Sequence, residues 1–173
     1  MKPINELEKK GNLYHATPIW KVEYILEDGL RADLGEKHLC NIPYQCITPY
    51  IRVAIEMAWI TKGKLLRSAE QFVLGIVGFS KARLPENVRE QLREDPFLYE
   101  PGLITFMDFP PESIDQVIVA NLIHDNPDTV VEGLCRNSKH PISLHQIKYE
   151  GRGKFVSLKR LSTPSIQPAA ISL

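Results

Sequence analysis

The stretch from Gln71 to Phe79, QFVLGIVGF, is apolar almost throughout and rich in β-branched side chains. It lacks the apolar–polar alternation of a half-exposed strand. The run therefore predicts a central strand covered on both faces. Such a strand needs packed layers above and below it, and the rest of the chain must supply them. The chain has 173 residues and is 43% hydrophobic, which suits one globular domain, 1–173, with a single modest core. No linker divides it.

The flanking sequence uses one device twice. Leu13–Ala16 reads as a short strand after a polar lead-in over 1–12. Thr17-Pro18 then reads as a helix start, with Thr17 as cap and Pro at the first position. Ile19, Val22, Ile25 and Leu26 recur at helical spacing, and Gly29 marks the stop. Tyr44–Ile47 is a second short strand, and Thr48-Pro49 again reads as cap and first turn, leading into a helix near 51–61. Further on, Pro85–Asp95 predicts a charged surface helix, Leu103–Phe109 and Gln116–Ala120 predict strands, and Asn126-Pro127 caps a helix running to about Cys135. Lys154–Leu161 alternates as a late strand, and Ser162–Leu173 reads as an uncharged tail, flexible or wrapped on the surface. The class is α+β.

Charge and cysteine use narrow the possibilities. Lys and Arg number 21, as do Asp and Glu, so the net charge is zero. That excludes a generally basic nucleic-acid coat and an acidic solvating tail. The balance is nevertheless uneven. Arg136, Lys139, Lys148, Arg152, Lys154, Lys159 and Arg160 lie within 136–160 with Glu150 the one acid, a local charge of +6. Such a segment suits contact with phosphate or nucleic acid. No apolar run approaches the roughly 18 residues of a membrane span, and the N-terminus lacks the apolar core of a secretory signal. The three cysteines, Cys40, Cys46 and Cys135, form no C-x-x-C pair and read as thiols in a reducing cytoplasm. A metal held by Cys40, Cys46 and His38 would lack a fourth ligand nearby.

Three segments taken in order carry a resemblance. Leu13-Tyr14-His15-Ala16-Thr17, followed by a helix ending Ile25-Leu26-Glu27-Asp28-Gly29-Leu30, resembles the "LYHGT…I…GL" opening of the ADP-ribosyltransferase fold. Cys46-Ile47-Thr48-Pro49, with Ala54 and Ala58 on the next helix, looks like its second motif. Leu103–Ile114, containing Pro110-Pro111-Glu112, followed by Val117-Ile118-Val119, looks like its third. The superfamily includes diphtheria-toxin-like and poly-ADP-ribose-polymerase-like transferases and DarT-type nucleic-acid modifiers.

The resemblance implies two small packed antiparallel or mixed sheets, with flanking helices, forming an NAD cleft. It implies NAD as substrate, with ADP-ribose transferred to a macromolecular acceptor, protein or nucleic acid, and nicotinamide released. His15 would hydrogen-bond the nicotinamide ribose. The main chain of Ala16, which replaces the family's usual Gly, would hold the carboxamide. Thr17 and Thr48, as caps, would border the ligand, and Trp59 or Tyr50 would stack on the nicotinamide. The family's catalytic Glu opens the strand before the "PP" turn, where this chain has Leu103, Ile104 and Thr105. The nearest acid is Glu100, which becomes the candidate carboxylate, with Glu150 behind it. By analogy the activity would suit a toxin or host-modifying factor, cytoplasmic or delivered into a target cell.

Two other readings stay open. The stretch FLYEPGLITFMDFPPESI is also similar to the tRNA 2′-phosphotransferases, which use Arg and His instead of the Glu. Arg31 or His38 would then be essential. The missing acid also suits a non-catalytic module of the same fold that binds ADP-ribose, RNA or a protein.

Overall fold

The computed structural model describes residues 4–35, 42–62, 73–94, 102–122, 134–135, 138, 140–151 and 154–161, with the main chain alone for 59–62, 149–151 and 154–161. Its strands are β1 (Asn12–Pro18), β2 (Gln45–Ile47), β3 (Val73–Ser80), β4 (Arg93–Glu94), β5 (Leu103–Thr105), β6 (Ile114–Asn121), β7 (Ser143–Gly151) and β8 (Lys154–Leu161). The α-helices are α1 (Val22–Asp28), α2 (Ile51–Lys62) and α3 (Glu86–Glu90). One sheet runs β1-β3-β6-β7-β8 and a smaller one β2-β5-β4. All pairings are antiparallel except β6 with β7. The protein is thus α+β, with two small sheets, one mixed and one antiparallel.

β3 is the partition the apolar run predicts. Its residues face two interiors in alternation. Val73, Val77 and Phe79 join a core with Leu13, Val22, Ile25, Ile47, Phe109, Val117 and Val119. Leu74 and Ile76 join a second with Tyr14, Ala16, Ile51, Ala54, Ala58, Ile118 and Ala120. The first core lies beneath α1 and the small sheet, the second beneath α2. Phe79 and Phe109 meet edge to face with centroids 5.2 Å apart, both fully buried. Such a pair contributes about 0.5–1.5 kcal/mol beyond its burial. Gly75 admits α1: a Cβ there would sit 2.1 Å from Val22 Cγ2.

Several expectations are corrected. The polar lead-in contains a 3₁₀ turn, Ile4–Leu7, whose Ile4 and Leu7 are buried in the second core. Thr17 is no helix cap. It lies inside β1 opposite Gly75, and the helical segment begins at Ile19 without a side-chain cap bond. The predicted helix over 85–95 stops at Glu90, because Arg93 and Glu94 pair with Ile104 and Leu103. The strand from 103 ends at Thr105, whose hydroxyl accepts from the Met107 amide at 3.1 Å and donates to the Met107 carbonyl at 2.9 Å. That local bond bends the chain out of the ladder. β7 lies where the sequence pattern marks no strand. The helix expected over 126–135 lies outside the described residues apart from its end at Leu134 and Cys135, and the tail 162–173 lies wholly outside them.

The start of α2 is held from a distance. The Thr48 hydroxyl accepts from the Tyr50 amide at 3.3 Å, while Glu8 accepts from the Ile51 amide at 2.9 Å. Burial raises the Glu8 pKa above 4.5, and the Ile51 hydrogen bond only partly opposes it. A carboxyl whose folded pKa is raised stabilises the fold below its unfolded pKa and loses that contribution as pH rises through the folded one. Glu8→Gln keeps an acceptor for Ile51 without the charge. The variant is therefore expected to gain stability relative to the wild type as pH climbs through that midpoint. Urea midpoints measured across the acid-to-neutral range check the sign.

Candidate active site

The two sheets touch through one strand pair among the described residues. Tyr14 of β1 and Thr48, just after β2, exchange backbone hydrogen bonds at 2.7 and 3.0 Å. That bridge is isolated. Antiparallel continuation would set Ala16 opposite Cys46, but β1 and β2 form no ladder there. Instead His15 Nδ1 reaches the Cys46 carbonyl at 2.9 Å. A carbonyl oxygen only accepts, so Nδ1 carries the proton, and in the neutral ring Nε2 is an acceptor. The imidazole is buried, with 7% of the residue exposed. It spans the point where the two sheets part.

The strand alternation fixes the neighbours. His15 and Thr17 share a face with Leu13, towards α1 and the small sheet, while Tyr14 and Ala16 face α2. Thr17 is 1% exposed and Thr48 fully buried. Beside them, Gln45 donates to the Arg31 carbonyl at 2.8 Å, and Asp108 accepts from the Ala32 amide at 2.7 Å. These bonds tie the loop after α1 to the small sheet.

On the other face, Tyr14 is held by a polar cluster. Its hydroxyl donates to Gln116 at 3.1 Å and accepts from the Lys9 amide at 2.8 Å, and Gln116 donates to the Leu7 carbonyl at 3.0 Å. Burial pushes the Tyr14 pKa up to about 12. This phenol stays neutral and holds β1 in place from behind.

The structure brings His15, Ala16, Thr17 and Thr48 together around the β1–β2 junction. Tyr50 follows on the lead into α2 and is 44% exposed. Trp59 lies on α2, with its side chain outside the described part. Glu100, His38, Cys40, Arg136, Lys139 and Arg152 lie outside the described residues, and the main chain of Glu150 is the penultimate position of β7. Lys148, Lys154, Lys159 and Arg160 fall on the β7–β8 hairpin, with β8 outermost in its sheet. Arg31 grips Asp33 through two hydrogen bonds, at 3.1 and 2.7 Å, in an exposed pair. Those bonds raise the Arg31 pKa and hold the Asp33 carboxyl below its usual range.

Among the described residues, no group of three or more His, Cys, Asp or Glu side chains is placed to hold a metal. None of the helices described is long and apolar enough to cross a membrane. Cys135 is buried, and that burial pushes its thiol up to about 12. Its nucleophilic thiolate is thus suppressed in the fold. Mass spectrometry after alkylation is expected to find Cys135 unmodified in the native protein and labelled once urea is added.

Sequence reasoning missed two parts of this site: the Cys46 carbonyl that holds His15, and the Gln45–Arg31 tie. No family model matches the chain, and no curated protein matches it in sequence.

Proposed function

We propose that the protein is an NAD-dependent ADP-ribosyltransferase whose substrate pocket opens where β1 and β2 part. The observation that carries this reading is His15, buried at the junction with its ring fixed by the Cys46 carbonyl. The resemblance gives this imidazole a ribose hydroxyl as its substrate contact. Ala16 adds only a methyl group at the next position, so a flat carboxamide can approach the backbone. In the reaction the bond between nicotinamide nitrogen and ribose C1′ breaks. Nicotinamide leaves with the bonding electrons, and the acceptor's nucleophile bonds to C1′ and gives up its proton. Positive charge builds on the ribose as the bond breaks, and a nearby carboxylate would stabilise it. Glu100 is the candidate for that role, since β5 has no acid at Leu103, Ile104 or Thr105.

The test is direct. Purified protein is incubated with NAD and cell extract, and nicotinamide release and ADP-ribose adducts are followed by mass spectrometry. Release with adducts is the expected result. Absence of both turnover and calorimetric NAD binding would overturn the proposal. Binding without turnover would favour a non-catalytic ADP-ribose-binding module, the reading that the acid-free β5 supports.

A further inference from the structure

Helix α1 and the 3₁₀ turn that leads into it, Ile19–Lys21, bury one side and display the other. Val22 and Ile25 are buried in the first core, with Ile19 and Leu26 packed against it. Trp20, Glu23, Tyr24 and Glu27 follow at positions i, i+3, i+4 and i+7 and are all exposed. Trp20 is 47% and Tyr24 67% exposed, large aromatic surfaces left to water. Both ends of the helix are fixed, with Val22 seated over Gly75 and Gly29 against the Phe109 carbonyl. The stripe is therefore presented rigidly, which reduces the ordering cost of binding. No ion pair between described residues engages Glu23 or Glu27. Asp28 extends the negative charge, and Lys21 is the one cation between Ile19 and Asp28.

We propose that this stripe docks an extended polypeptide segment rich in arginine and lysine, contributed by a protein partner. Aromatic faces attract a guanidinium or ammonium group. The interleaved carboxylates supply charge-assisted hydrogen bonds that favour the planar guanidinium. Seven residues of helical rise separate Trp20 from Glu27, about 10 Å, the reach of about three extended peptide residues. That length fits a short run of alternating cationic side chains rather than a single small cation. The docking goes beyond the transferase reading and does not depend on it.

Fluorescence anisotropy with a labelled peptide alternating Arg and Ser, and a matched Glu–Ser peptide, tests the proposal. The Arg peptide is expected to bind saturably and the Glu peptide not to bind. Trp20→Ala/Tyr24→Ala and Glu23→Gln/Glu27→Gln are each expected to weaken binding at least about tenfold, with melting temperatures unchanged. His15→Ala is expected to bind like the wild type, so peptide docking and NAD turnover fail or succeed separately. Absence of saturable binding would overturn the proposal. So would undiminished binding by the aromatic double variant, since only general attraction to acidic surface would then remain. Concentration-dependent self-association in sedimentation, abolished in that same variant, would assign the stripe to a second copy of the chain and equally overturn it.

Discussion

Gly29→Ala is expected to destabilise the protein by about 3–5 kcal/mol, a large part of the roughly 5–15 kcal/mol that holds a domain folded. Two separate causes combine. Gly29 ends α1 at φ 81° and ψ −177°, a region essentially reserved for glycine. A methyl group there would also lie 2.1 Å from the Phe109 carbonyl oxygen, in main chain that cannot rotate aside. Leu30 and Phe109 exchange two backbone hydrogen bonds of 2.9 Å at this spot, so the carbonyl is held from both directions. Gly11 provides the control. Its φ is 84°, but a Cβ there would meet nothing within 4 Å. Gly11→Ala should therefore lose only the conformational part, about 1 kcal/mol. Urea unfolding followed by circular dichroism measures both. Equal losses in the two variants would disprove the packing argument at Gly29.

The second large effect concerns His15. Under the proposed function, His15→Ala is expected to lower NAD-dependent nicotinamide release by about 100-fold or more, because both the ribose contact and its orientation are lost. The same change removes the bond to Cys46 O and is expected to lower stability by about 1–3 kcal/mol. His15→Asn separates the two effects. Its amide can still donate to the Cys46 carbonyl, so stability should largely return while turnover stays low. Wild-type release rates in His15→Ala would remove His15 from the substrate site.

Much of the fold was legible because its signals are local. β3 announced itself by a run of apolar and β-branched residues. The end of α1 was readable from Gly29, and β8 from its alternation. β7 was not legible: SLHQIKYEG mixes Gln146 and Lys148 with Leu144 on one face, so no clean period survives. Its strand form comes from parallel pairing with β6, information held in another part of the chain. The helix expected at 85–95 ends early, at Glu90, for a similar reason, since pairing of Arg93 and Glu94 with β5 outweighs helical preference.

The same division holds at the candidate site. His15 and Thr48 stood out by residue type and motif. The atom that fixes the His15 ring is a main-chain carbonyl, which any residue would supply, so no side chain marks it in the sequence. The glutamate holding the start of α2 is 43 residues away from Ile51 and reaches it only through the tertiary fold.

β3 divides the interior into two compartments that share no side chain along that strand. A change in volume at Val77 is felt first by Val117 and Phe109, not by Ile76 beside it in the chain. Compensating changes should accordingly arise between distant residues on one side of the wall, while adjacent residues vary independently. The protein can thus retune the compartment under α2 with little disturbance to the His15 side.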